Sequence, residues 1–271
     1  MVKEALLARP QSVIKTANSI EGVLENLAWL PTFDGFERFH SESFIAMSDL
    51  QCPYVNPDLV RKACAIGKKL GASECILAGD TFNQTMFSKF LSFMGEQTWT
   101  FEMEVVSEIL QLLLGTFETI YVTSGNHDRN ILKLLLGKVG LKHIFKWVTP
   151  EVGKRVKVSE YPYCYVTSGK ETIRITHPDS YSRIPGRVAQ TLSGKWECSV
   201  LSAHGHRLAL TFSDSGHWVG DLGGMFDETK IDYKNMRDTT HGQWNSGFFA
   251  VQRGFPYLFS RDSTDWDWWL K

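Results

Sequence analysis

A chain of 271 residues is long enough to bury a sizeable core, as one large domain or two small ones. Its 29 Lys and Arg nearly balance 30 Asp and Glu, and the net charge of −1 excludes an overall electrostatic pull toward nucleic acid. Five scattered cysteines without a C-x-x-C pair argue against a disulfide framework or a structural zinc site, and no apolar run approaches the roughly 20 residues of a membrane span.

The expected setting is therefore cytoplasmic and away from membranes. Lys3, Glu4, Arg9 and Lys15 interrupt the first residues and leave no signal-peptide pattern. Ile14, Ala17, Ile20, Val23, Leu24 and Leu27 recur at helical spacing, which predicts an amphipathic helix from Ser12 to Ala28. A polar connector is expected from Thr32 to Glu42, so that residues 1–42 precede a single domain over 43–271.

Ser43 to Met47 reads as a buried strand ending in Ser48-Asp49-Leu50-Gln51. Asn56-Pro57-Asp58 has the cap and first-turn proline of a helix running to Leu70, with Gly71 beyond its end. Cys75 to Ala78 is a second strand, ending in Gly79-Asp80-Thr81-Phe82-Asn83. A looser aromatic segment follows (Phe87, Phe90, Phe93, Trp99), then a helix marked by Val105, Val106, Ile109, Leu112 and Leu113. The run Ile120-Tyr121-Val122 leads into Thr123-Ser124-Gly125-Asn126-His127-Asp128, and a helical pattern begins near Asn130. Strand, acidic loop and helix, repeated three times, predict βαβ units and a mainly parallel core sheet.

The second half changes character. Tyr163 to Thr167 and Thr172 to Thr176 flank Ser168-Gly169-Lys170 as a hairpin, and the second arm runs into His177. Ser199 to Ala203 leads to His204-Gly205-His206, a hairpin is expected across Asp214-Ser215-Gly216, and Gly247 to Gln252 with Tyr257 to Ser260 form a last pair.

Five strand-end clusters thus stand in order: Asp49-x-Gln51, Gly79-Asp80-x-x-Asn83, Gly125-Asn126-His127-Asp128, His177 and His204-x-His206. Singly each is an ordinary loop or turn. Jointly they offer carboxylates, amide oxygens and imidazoles, a thiolate-free donor set that suits two ions sharing a carboxylate, with Mn²⁺, Fe or Zn²⁺ as candidates.

In this order the clusters resemble the calcineurin-like metallophosphoesterase superfamily, whose members carry D-x-H, G-D-x-x-D, G-N-H-[DE], H and G-H-x-H. The resemblance spans roughly residues 44 to 212 and implies an α/β fold, a two-sheet β-sandwich flanked by helices. It implies one metal held by Asp49, Gln51, Asp80 and His206, and a second held by Asp80, Asn126, His177 and His204. A metal-bridging hydroxide would attack phosphorus while His127 protonates the leaving group.

Three departures bear on that expectation. Gln51 replaces a family His, as in viral and some bacterial members, and its harder oxygen tilts the expected metal toward Mn²⁺, with Fe, Zn²⁺, Mg²⁺ or Ni²⁺ as alternatives. A viral member would act in the host cytoplasm. Asn83 stands where many members have the Asp that partners the catalytic His; it orients the ring without a charge. Ala203 replaces a glycine. Arg129 and Arg207 follow ligand clusters and are candidate phosphate contacts. The C-terminal aromatics, Trp244 and Phe248 through Trp269, are expected to close the core more than to stack on bases.

The expected activity is two-metal phosphoester hydrolysis. A phosphodiesterase acting on nucleotides or nucleic acid is favoured, because the Arg that follows the second cluster in phosphatase-like members is replaced by Gln84. A phosphomonoesterase or protein phosphatase is the first alternative, and a metal-binding scaffold with little turnover the second.

Overall fold

The computed structural model of the chain describes residues 35–87, 98–235 and 243–271. The expected N-terminal helix, Phe90 and Phe93 lie outside them. The chain divides into two compact units, Met1–Phe36 and Glu37–Lys271, and the fold that follows is that of the second.

Two six-stranded mixed sheets form the unit. In the first, β2 (Ser43–Met47), β3 (Glu74–Ala78), β4 (Thr119–Thr123) and β5 (Val156–Val158) run parallel. Beyond β2 lie β11 (Gly247–Gln252) and β12 (Phe255–Ser260), each antiparallel to its neighbour. The second sheet has the order β1 (Arg38–His40), β6 (Tyr163–Ser168), β7 (Glu171–Thr176), β8 (Ser199–Ser202), β10 (Trp218–Leu222) and β9 (Leu208–Phe212). The expected connector over 32–42 is corrected here: Arg38–His40 pairs in parallel with β6. A three-residue polar edge strand has no apolar period to announce it.

Strand alternation explains the layering. Phe44, Ala46, Ile76 and Ala78 point between the sheets, where they meet Val166, Ile175, Leu201 and Phe249. Their neighbours Ile45, Met47, Cys75 and Leu77 point outward onto helices α1 (Pro57–Leu70), α2 (Trp99–Leu114) and the later α4 (Leu141–Val148). Between α2 and α4 in sequence, α3 (Asn130–Leu134) follows the third loop. Helix α5 (Arg187–Trp196) covers the far face of the second sheet through Ala189, Val200 and Val219. The result is an αββα sandwich.

Local chemistry fixes α1 as expected. Asn56 caps it by accepting from Leu59 N at 3.2 Å, Pro57 opens it, and Gly71 ends it at φ 65°. The short helices α6 (Asp232–Asn235) and α7 (Trp266–Trp269) complete the chain. Trp266 and Trp269 pack on Phe259, with ring centroids 6.1 and 4.8 Å away, and Lys62 lies over Trp266. Trp266 and Trp269 therefore help close the core, whereas Phe255 and Trp268 are exposed. All five cysteines are free and buried.

Candidate metal centre

The loops after β2, β3, β4, β7 and β8 all leave the carboxyl ends of parallel-running strands, the edge at which open α/β sheets gather ligands. The first two are laced together by Asp49 N to Gly79 O, Gln51 N to Asp80 O and Cys52 N to Thr81 O, at 2.9–3.1 Å. Close approach dictates the glycines. A Cβ on Gly79 would stand 2.7 Å from His177 Nδ1, and one on Gly125 would run into Asp80 Oδ1 and the Asp80 amide.

Six of the nine described non-glycine residues with positive φ lie in these loops: Asp49, Gln51, Asp80, Gln84, His204 and His206, at 43–74°. Such backbone is costly for a residue with a Cβ, and its clustering is a mark of functional sites.

The side chains converge in two adjoining groups. In one, His206 Nε2 lies 3.0 Å from Asp49 Oδ1 and 3.2 Å from Gln51 Nε2. In the other, His177 Nε2 lies 3.2 Å from Asp80 Oδ2 and 3.0 Å from Asn126 Oδ1. Donor atoms of Asp80, His177 and His204 all lie within 4.8 Å of one another, as a cation would require. Asp49, Gln51, Asp80 and His177 are buried almost completely. All seven residues expected as ligands are thus brought together.

Hydrogen bonding tests whether a cation fits. The carbonyl of Ala78 can only accept, so His177 Nδ1, 2.9 Å away, is the donor. In the neutral ring Nε2 is then a lone pair aimed at a carboxylate and an amide. A divalent cation satisfies that meeting of acceptors; without one, an inward NH₂ of Asn126 and a proton on His177 Nε2 do so. A backbone-anchored imidazole is the usual support of a metal ligand. The inward end of the Asn126 amide completes the group, 2.7 Å from His204 Nδ1 and 3.3 Å from Asp80 Oδ2.

Without an ion, the charges of the site balance one another. Burial alone would raise Asp80 and Asp49, but the histidines outweigh it and hold both carboxyls low, Asp80 well below the usual carboxylate range. Burial opposes charge on His177, yet Asp80 and Asp49 raise it to about 10. His204 is lowered by burial and by His177.

His127 stands beside this group. Its backbone N donates to Asp80 Oδ1 at 2.8 Å, and its Nδ1 lies 2.5 Å from the main-chain carbonyl of Asn83. The expectation that the Asn83 side chain orients the ring is corrected: that side chain donates to Thr85 Oγ1, and the backbone does the orienting. Arg129 is paired with Asp179 at 2.5 Å. Arg207 is buried, and its charge partly offsets the burial that pushes Asp221 up to about 6.

Three residues beyond those expected belong to the site. Asp128 accepts from Phe82 N and Gly125 N at 3.0 and 2.9 Å, tying the second loop to the third. Burial, followed by the neighbouring Asp80, pushes its carboxyl up to about 6. The rings of Phe226 and Trp244 stand edge-on to His206, with centroids at 4.9 and 4.6 Å. Asp128 was visible in the third cluster; for the two rings the sequence holds no signal.

No family model matches the sequence, and no curated protein matches it. Solved structures of similar fold include Vacuolar Protein Sorting 29 from Cryptosporidium parvum, 14% identical over 81% of this chain and 96% of that one, TM-score 0.44. The phosphoesterase YfcE from E. coli is 12% identical over 77% of this chain and 87% of that one, TM-score 0.43. Vps29 from Entamoeba histolytica, complexed with Zn²⁺, is 10% identical over 82% and 94%, TM-score 0.43.

Proposed function

We propose that the chain is a metal-dependent phosphoester hydrolase with a phosphodiesterase preference, acting on nucleotides or nucleic acid. The observation that carries the reading is the buried convergence of Asp80, His177, His204 and Asn126 beside Asp49, Gln51 and His206. Asp49, Gln51, Asp80 and His206 would hold one ion, and Asp80, Asn126, His177 and His204 the other. Bound there, divalent ions supply positive charge for phosphoryl oxygens and acidify a water for attack on phosphorus.

The remaining chemistry falls to His127. The Asn83 carbonyl accepts from Nδ1 in either protonation state of the ring, so Nε2 is the atom that gains and loses a proton. That atom is the donor to the leaving oxygen. The diester preference is supported by the arginines. Arg129 is engaged by Asp179 and Arg207 lies buried near Asp221, whereas a monoester dianion calls for a cationic clamp.

The test is hydrolysis of bis-p-nitrophenyl phosphate and p-nitrophenyl phosphate by protein stripped with chelator and reloaded with Mn²⁺. Metal-dependent turnover, faster on the diester, is expected. Faster turnover of the monoester overturns the diester preference, and no turnover of either overturns the hydrolase reading.

A further inference from the structure

A carboxyl group that the metal ligands do not use lies behind His127. Glu102 sits in the first turn of α2, on the same buried stripe as Val106, Ile109, Leu110 and Leu113. It is 1% exposed. Its Oε1 accepts from the backbone N of Gln84 at 2.7 Å, while the neighbouring Asn83 N donates to Cys52 O at 3.0 Å.

The peptide group between Asn83 and Gln84 is thereby gripped at both ends. Its N–H points at Glu102, and its C=O receives His127 Nδ1 at 2.5 Å. A trans peptide is planar with N–H and C=O opposed, so fixing one direction fixes the other. Gln84 itself is held at φ 47°, and its side chain accepts from Ile131 N at 2.9 Å. Hydrogen bonds in series through one amide also polarise each other, which strengthens the carbonyl as an acceptor.

We infer that Glu102 is a positioning residue for His127: by holding the N–H of the Asn83–Gln84 peptide it aims that peptide's carbonyl at Nδ1, and so sets which ring nitrogen faces the substrate. The inference rests on the reading of His127 as proton donor. A merely structural Glu102 would tie α2 to the loop and affect stability alone. Burial, opposed by the hydrogen bond from the Gln84 amide, pushes this carboxyl up to about 8. It is a neutral acid at neutral pH, and Gln imitates it.

Three variants test the link: Glu102→Gln keeps the accepting oxygen, Glu102→Asp withdraws it by one methylene, and Glu102→Leu removes it. The first readout is the rate on an alkyl phosphodiester, whose leaving group needs a proton, relative to bis-p-nitrophenyl phosphate, whose leaving group hardly does. Glu102→Gln should keep the wild-type ratio, while Glu102→Asp and Glu102→Leu should lower it by about tenfold or more. An unchanged ratio in all three overturns the inference. Should Glu102→Leu fail to fold, Glu102→Asp decides.

The second readout needs no substrate: long-range ¹H–¹⁵N correlations report the His127 tautomer. Wild type and Glu102→Gln should show the Nδ1-protonated ring, and Glu102→Asp should populate the other tautomer. The same tautomer in all variants overturns the link. If wild type hydrolyses neither ester, it is the hydrolase reading that fails, and the tautomer alone upholds or overturns the role of Glu102.

Discussion

His177 Nε2 lies 3.2 Å from Asp80 Oδ2, with both side chains sealed from solvent. Since His177 Nδ1 is occupied by the Ala78 carbonyl, Nε2 is the atom turned to the Asp80 carboxylate, a donor in the protonated ring and a lone pair open to a cation in the neutral one. Asp80 also lies within reach of His204, and its other oxygen accepts from His127 N. Asp80→Ala should therefore empty both proposed positions and abolish activity. Elemental analysis is the check, and two metals per chain in the variant would show that Asp80 is not the shared ligand.

His127→Ala should leave metal content intact. The rate should fall by about 10²–10⁴-fold on esters with poor leaving groups and much less on p-nitrophenyl esters. Equal losses on both would assign His127 to phosphate binding and not to proton delivery.

Gln51 is buried at φ 43°, next to His206. Gln51→His replaces an oxygen donor by nitrogen and should raise affinity for Zn²⁺ relative to Mn²⁺, while Gln51→Ala should empty the first position alone. Competitive titration measures both. One metal preference shared by wild type and both variants would mean that Gln51 only braces its loop.

Glu102 also predicts a pH dependence of stability. Its carboxyl is raised from 4.5 to about 8 on folding. A raised acid contributes stability that is fully present below its unfolded pKa and is lost as pH rises through its folded pKa. Asp128, raised from 3.8 to about 6, acts in the same direction at lower pH and is untouched by the substitution. Glu102→Gln should thus gain in Tm over wild type as pH is taken from about 5 to about 9. A Tm difference that stays flat across that range would show that Glu102 is ionised in the fold at neutral pH.

The convergence of the five clusters was legible in the sequence because each follows directly on an apolar strand, and the two-sheet sandwich was what the resemblance carried by those clusters implied. Strand direction then carries Asp49, Asp80, Asn126, His177, His204 and His206 to one edge without further information. Helix α4, eight residues long, and strand β1, three residues long, were too short for their period to stand out. The partner of His127 was misread because a sequence displays side chains, whereas the contact is a carbonyl of Asn83. Glu102 left a trace that was open to reading: a carboxylate on the apolar stripe of a helix needs a buried partner.

The left-handed backbone of Asp49, Gln51, Asp80, His204 and His206 sets these loops against the rest of the fold. Two buried carboxylates, Asp49 and Asp80, also repel each other there. A cation that neutralises the carboxylates works on the same balance as the hydrophobic layers that hold the loops in place. If the site takes up metal as proposed, uptake and resistance to unfolding form a single linked equilibrium, and stability should climb with the logarithm of free metal once its concentration exceeds the dissociation constant. Thermal melts across a chelator-buffered Mn²⁺ series would trace that slope, and a Tm indifferent to Mn²⁺ would uncouple the ion from the fold.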